Sequence, residues 1–244
     1  MNPGLGEIIA SYRPRFRNEL RTEWAAALIY RPLSFPLTLV FLALRWSPTQ
    51  VTLLGLACAL ALPWLAWRGG EDALLLVGLL GVLFCVLDCV DGNLARVTGR
   101  SSRLGGYADF AGDLAFRVCL YAAIGLLADA ASAGAPNPGL PIPGLAIGLL
   151  AAWLSLAARA GRLHLQTQQP RPTPEQTPPS AAPLTWVERI AGFLSGMDFL
   201  SPILLIVFGL QGGLPELLIY LLSLSLLDLV HTQVSIRNAL IRKV

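Results

Sequence analysis

The apolar residues of this chain fall into runs of about twenty, and such runs leave few choices of fold. Six stand out: Gln50–Trp67, Ala73–Leu94, Tyr107–Ala128, Ile142–Ala160, Ile190–Leu210 and Leu214–Val234. A helix needs roughly twenty residues to cross a hydrocarbon core, and within lipid its backbone N–H and C=O groups must pair inside the segment. Each run therefore predicts a transmembrane helix. A soluble fold fails on charge, because only 14% of the 244 residues are charged, whereas soluble domains carry roughly a quarter. The expectation is an all-α polytopic integral membrane protein. Six transmembrane helices fill residues 47–244, preceded by an amphipathic and juxtamembrane segment at 1–46.

That leading segment interleaves Arg13, Arg15, Arg17, Arg21 and Arg31 with Tyr12, Phe16, Leu20 and Trp24. The pattern suits a helix lying on an anionic membrane surface, and equally a solvated tail. Leu33–Leu44 is apolar, too short to span and interrupted by Pro36, so it reads as an interfacial helix. Between the fourth and fifth runs, residues 163–185 are rich in Pro, Gln and Thr, the composition of a flexible loop. Every basic residue except Lys243 is Arg. They gather on alternate connections, with Arg68 the exception and Arg117 inside the third run, while Asp129–Pro141 has none. Both termini are thus expected in the cytoplasm, across a bacterial inner membrane. Cys58, Cys85, Cys89 and Cys119 lie within apolar stretches without a CxxC pair, as small packing hydrophobes do. No solvated basic face suggests a nucleic-acid partner.

One window breaks the apolar pattern. Asp88–Asp113 reads DCVDGNLARVTGRSSRLGGYADFAGD. Asp88 and Asp91 are spaced i, i+3; Asp109 and Asp113 are spaced i, i+4, so each pair shares a helix face. The first pair closes the second span and the second pair opens the third. A hairpin then gathers four carboxylates at the cytoplasmic boundary, where they repel one another and cannot all remain ionised unaided. Protonation relieves that repulsion, and so do one or two divalent cations. Mg²⁺ suits oxygen ligands and shares them with phosphates, and a metal pair can stabilise both oxygens of a phosphoryl displacement. Gly92 and Ala95 leave one side of the helix bare for a flat base or a diphosphate. Arg96 offers a planar fork to phosphate oxygens, and Arg100, Ser102 and Arg103 lie in the connecting loop. Gly105 and Gly106 let the third helix approach closely.

With these residues in place, the window resembles the signature of the CDP-alcohol phosphotransferase (CDP-alcohol phosphatidyltransferase) family, D-x2-D-G-x2-A-R-x8-G-x3-D-x3-D. Asp88, Asp91, Gly92, Ala95, Arg96, Gly105, Asp109 and Asp113 meet it at every fixed position. The resemblance extends over about residues 30–240. It implies that Asp88, Asp91, Asp109 and Asp113 hold two Mg²⁺ or Mn²⁺ ions, with Asp113 also the catalytic base. It implies a donor site at Thr52, Gly92, Ala95, Arg96, Ser102 and Gly105. Thr49 stands where the family usually has Asn, which weakens it as a donor contact.

The implied reaction transfers a phosphoalcohol, phosphatidyl from CDP-diacylglycerol, to a small polar alcohol with release of CMP, in phospholipid biosynthesis. A site at the bilayer edge favours the lipid donor over a soluble one of the CDP-inositol or CDP-choline type. Arg117, Arg159, Arg162 and Arg189 are candidate acceptor contacts for an alcohol carrying its own phosphate, and Arg117 a candidate partner of Asp113. Asp198, Asp228 and His231 are further polar residues near the last two spans, the latter two spaced to bond each other. A transporter would not need the Gly-Ala-Arg spacing, and a silent scaffold would be expected to have lost at least one of the four Asp. The resemblance also implies a homodimer, which faces rich in Gly and Ala permit.

Overall fold

Two serines and a glycine set the helix boundaries that build the site. The computed structural model describes residues 3–100, 102–132, 142–168 and 186–241. Among the described residues the chain is all helical. In order come α1 (Leu5–Thr22), a π-helical turn (Ala26–Tyr30) running into α2 (Arg31–Ala43), α3 (Pro48–Arg68), α4 (Ala73–Thr98) and α5 (Arg103–Ser132). Then follow α6 (Gly144–Gln168), α7 (Trp186–Phe199), α8 (Ser201–Leu210) and α9 (Leu214–Ile241). Ser47 opens α3: its hydroxyl accepts from the Gln50 N–H at 3.3 Å and the Gln50 side chain returns to the Ser47 N–H at 2.8 Å. Pro48 fills the first helical position, where its missing N–H costs nothing. α4 stops at Gly99, which takes the left-handed conformation (φ 65°) that L side chains avoid. Ser102 then restarts the chain, accepting the Gly105 N–H at 2.9 Å.

Six helices among the described residues are long and apolar enough to cross a membrane: Ala26–Ala43, Pro48–Arg68, Ala73–Thr98, Arg103–Ser132, Gly144–Leu165 and Leu214–Ala239. The set differs from the six expected runs at two places. The first is Ala26–Ala43, where the expected interfacial piece joins the residues before it in one helix that passes through Pro36. Near that proline the Ser34 hydroxyl donates to the Arg31 carbonyl (2.8 Å) and Thr38 to the Ser34 carbonyl (2.7 Å). Neither acceptor is the Pro32 carbonyl that Pro36 leaves without its helical N–H; the two hydroxyls instead keep their own protons satisfied inside the helix.

The second is Ile190–Leu210, expected as one span. It is two helices meeting at a 55° bend. Pro202 lacks the N–H that a continuous helix would send back one turn, and the Ser201 hydroxyl instead donates to the Asp198 carbonyl at 2.6 Å. The start of the expected loop is helical as far as Gln168; residues 169–185, Arg171, Arg242 and Lys243 lie outside the described residues.

α3 packs against α4 and α5, and α6 packs between α5 and α9. Lipid is as apolar as Leu, so helices associate through close packing and small residues. At the α5–α6 contact a Cβ on Gly148 would overlap the Tyr121 carbonyl, and one on Gly125 the backbone of Gly144. A second core, with Tyr30, Val51, Phe84, Leu87, Val90 and Leu94, seats α1 and α2 on the same end of the bundle where α4 finishes and α5 begins. Cys58, Cys85 and Cys89 are buried there as free thiols, and Cys119 is half-buried.

Candidate active site

The α4–α5 hairpin brings the four aspartates together around neighbouring cavities that share wall residues. Asp91 is buried, 7% exposed; Asp88 and Asp113 are half-buried and Asp109 is exposed. Asp88, Asp91 and Asp109 line one small cavity of about 10 Å³, together with Thr52, Gly55 and Gly112. Asp113 faces the other side of Asp88, in a space of about 30 Å³ that Arg117, Tyr121, Asp198 and Phe199 also line.

Beside the aspartates lies a larger cleft of about 180 Å³, walled by Pro48, Thr49, Thr52, Asp91, Gly92, Ala95, Arg100, Ser102, Gly105, Gly106 and Asp109. Five of the six expected donor residues meet there: Thr52, Gly92, Ala95, Ser102 and Gly105. Thr49 joins them despite its departure from the family pattern. Thr52 also has a second task, donating to Asp91 Oδ2 at 2.6 Å and so fixing that carboxylate. A Cβ on Gly105 would press on the Ser102 hydroxyl at 3.0 Å, so glycine keeps this turn closed.

Arg96 is the sixth, and it stands outside that wall. Its guanidinium folds back over Gly92, 3.2 Å from where a Cβ would be, and donates to Asn93 Oδ1 at 2.5 Å. Asn93 is fully buried and donates in turn to Ser34 Oγ (2.9 Å) and Thr38 Oγ1 (3.2 Å) on α2. This chain of polar contacts escaped the sequence reading. Its signal was present in Ser34 and Thr38, two hydroxyls spaced i, i+4 within an apolar stretch.

The arginines near Asp113 are placed differently from the expectation. Arg117 does not pair with Asp113; it forms an ion pair with Asp198 and donates to Ser155 Oγ at 3.0 Å. Asp198 also accepts from the Tyr121 hydroxyl at 2.5 Å. The partner of Asp113 is Arg159, which donates to its Oδ2 at 2.7 Å while lying over the Phe110 ring. Arg162 is held by Asp228 (2.6 Å) and Thr232 (3.0 Å). Asp228 thus bonds Arg162 and not His231, whose buried ring nitrogens have no partner among the described residues. Arg189 stands exposed on α7, apart from these cavities. Sequence spacing placed Arg117 within one turn of Asp113, but the partner on α7 lies beyond the reach of spacing arguments.

The donor set is entirely hard oxygen: four carboxylates and a threonine hydroxyl, which suits Mg²⁺ or Mn²⁺. Among the described residues no three ligating side chains already close into a metal cage. Mg²⁺ does not require one, since it commonly takes one or two carboxylates and completes its shell with water and substrate phosphate. Carboxylates that crowd a space the size of one water therefore fit such an ion.

Fold and site together define an integral membrane protein with a carboxylate-lined cleft at one end of an all-α bundle. The family model for CDP-alcohol phosphatidyltransferase matches residues 45–210, and the chain belongs to that family. It is accordingly a transferase of phospholipid biosynthesis that takes a CDP-alcohol donor in a lipid bilayer. No curated protein matches the chain.

Proposed function

We propose that this protein transfers the phosphatidyl group of CDP-diacylglycerol to the hydroxyl of a small polar alcohol and releases CMP. The observation that carries the reading is the continuity of the 180 Å³ cleft with the aspartate cluster through Asp91 and Asp109. A nucleotide seated against Gly92, Ala95 and Gly105 has its diphosphate at the carboxylates. Leu104 and Tyr107, 70% and 67% exposed beside the cleft, supply apolar surface where acyl chains can stay in lipid. That favours a lipid donor over a soluble one. The distribution of Arg supports a site on the cytoplasmic face.

Asp88, Asp91, Asp109 and Asp113 would hold the divalent cations, which when bound neutralise the diphosphate. Thr52 keeps Asp91 aimed. The Ser102 oxygen is occupied by the Gly105 N–H, which leaves its own proton for a phosphate oxygen. Arg159 holds Oδ2 of Asp113 and leaves Oδ1 for the acceptor. The acceptor oxygen attacks the phosphorus bearing the lipid alcohol, its proton passes to Asp113, and the bond to the CMP oxygen breaks. A carboxylate is a weak base for an alcohol, so proton removal accompanies attack, and positioning supplies much of the rate.

Arg117, Arg159 and Arg162 are each already paired with an aspartate. Each pair uses one guanidinium nitrogen, so the remaining N–H groups, among them the unpartnered buried Nε of Arg117, favour an acceptor that carries its own phosphate. The test is CMP release by the purified protein against CDP-diacylglycerol, CDP-inositol and CDP-choline, each with phosphorylated and unphosphorylated alcohols. CMP release only with a soluble donor refutes the lipid reading; turnover with unphosphorylated alcohols alone refutes the acceptor reading.

A further inference from the structure

Arg31 precedes the segment that the family model matches, and the mechanism above makes no use of it. Its position is nevertheless close to the chemistry. Arg31 Nη1 donates to the Cys89 carbonyl at 3.0 Å, and Cys89 is the residue directly after Asp88 and two before Asp91. That nitrogen lies 3.8 Å from the point where a Cβ on Gly92 would sit. The side chain is 15% exposed, its Nε donates to Glu19 Oε1 at 2.7 Å, and the guanidinium lies over the Tyr12 ring at 5.1 Å. A planar fork held at three points is aimed, not merely buried.

The neighbouring residue reaches a different wall of the site. Tyr30 donates its hydroxyl to the Phe199 carbonyl at 2.7 Å, at the α7–α8 bend, and Phe199 shares a cavity with Asp88 and Asp113. Successive helical residues point in different directions, so Tyr30 and Arg31 tie the aspartate helix and the bend to one short stretch of chain. That stretch is itself fixed. A Cβ on Gly192 would overlap the Arg21 carbonyl and one on Gly196 the Trp24 indole, so α7 meets the N-terminal segment at van der Waals distance. The Trp24 indole N–H completes the contact on the Phe193 carbonyl at 3.4 Å.

We propose that Arg31 is a positioning residue for this reaction: by holding the Cys89 carbonyl, with Glu19 setting its aim, it fixes the turn of α4 that carries Asp88 and Asp91. The N-terminal segment then belongs to the active site although it precedes the matched family region. The inference rests on the transferase reading above. Its test therefore includes a measurement that does not depend on turnover.

Arg31→Gln, Arg31→Lys and Glu19→Ala are made in the full-length protein, and each is assayed for CMP release and for amide hydrogen exchange without substrate or metal. Loss of alignment by a fraction of an ångström to an ångström costs up to about 100-fold. Arg31→Gln is expected to lower kcat by about 10- to 100-fold with donor KM changed less than about threefold. Arg31→Lys, which keeps the charge but reaches only one of the two oxygen partners, should recover part of that loss. Glu19→Ala should fall between Arg31→Lys and Arg31→Gln. Exchange should rise in residues 89–97 and not in the apolar half of α4. Wild-type turnover matched by Arg31→Gln, or a variant whose exchange rises evenly along all helices, overturns the positioning role. A wild type that releases no CMP from any donor overturns the transferase reading instead, and the local exchange pattern then decides the role of Arg31. Should Arg31→Gln fail to fold, Glu19→Ala and Arg31→Lys carry the same comparison.

Discussion

The charges of this membrane protein are arranged in two opposite ways. Between α5 and α7 and between α6 and α9, basic and acidic side chains come as matched pairs: Arg117 with Asp198 and Arg162 with Asp228. At the α4–α5 hairpin, four carboxylates share a neighbourhood in which Arg159 is the only cation paired with any of them among the described residues. Matched pairs cancel within the fold and hold helices in register. Crowded like charges do not cancel, and they stand ready for a cation brought from outside. The same residue type therefore means structure in one region and chemistry in the other.

If that contrast is right, neutralising a hairpin aspartate should remove activity and spare the fold, whereas breaking a matched pair should do the reverse. Asp113→Asn is expected to lower CMP release by about 10³-fold or more, in line with removal of a general base and cation ligand. Its thermal midpoint in detergent should change little, because loss of the partly exposed pair with Arg159 is offset by relief of the repulsion among the four carboxylates. Arg117→Leu should instead cost stability, on the order of 2–4 kcal/mol, by leaving the half-buried Asp198 without its cation. The double variant Arg117→Leu/Asp198→Leu should recover more than half of that loss, as thermal unfolding will read.

A smaller effect lies at the seam between the regions. Thr52→Val removes the hydroxyl that holds Asp91 while keeping the side chain's shape. The loss of one buried hydrogen bond to a charged group, about 1–3 kcal/mol, predicts a drop in kcat/KM of about 10- to 100-fold. Unchanged kinetics would mean that Asp91 needs no aim.

The smallest effect concerns Glu23, in the N-terminal segment outside the spans. Burial, with Glu19 and Asp113 nearby, holds its carboxyl above the usual carboxylate range. An acid raised in the folded state favours folding while protonated, and that contribution is lost as pH rises through its folded value. Glu23→Gln should therefore raise the thermal midpoint at pH 8 by a few degrees and leave it unchanged at pH 4. An equal shift at both values would assign the effect to packing.

What could be read from the sequence was local. Run length identified helices such as α4, because twenty apolar residues allow no other fold in lipid. The i, i+3 and i, i+4 spacings placed Asp88 with Asp91 and Asp109 with Asp113, and the short connection holding Arg100, Ser102 and Arg103 made the two runs a hairpin. Partners chosen across the bundle were not legible. Nothing in the spacing of Arg117 and Asp113 reveals that Asp198 or Arg159 completes the respective pair, since those choices depend on how α5, α6 and α7 pack. The bend at Pro202 lay in plain view but was outweighed by the apolar run around it. Pro36 lies inside α2, and the helix continues back through the π-helical turn at Ala26–Tyr30, which run length counted from Leu33 did not include.

The central claim is that the hairpin aspartates form a cation-dependent seat for a CDP group. Calorimetric titration of CDP into the purified full-length protein, with Mg²⁺ or with chelator, tests it without requiring the acceptor to be known. The account predicts binding by the wild type with Mg²⁺, little or none with chelator, and none by Asp91→Asn under either condition. CDP binding of equal strength with chelator, or undiminished in Asp91→Asn, would contradict it.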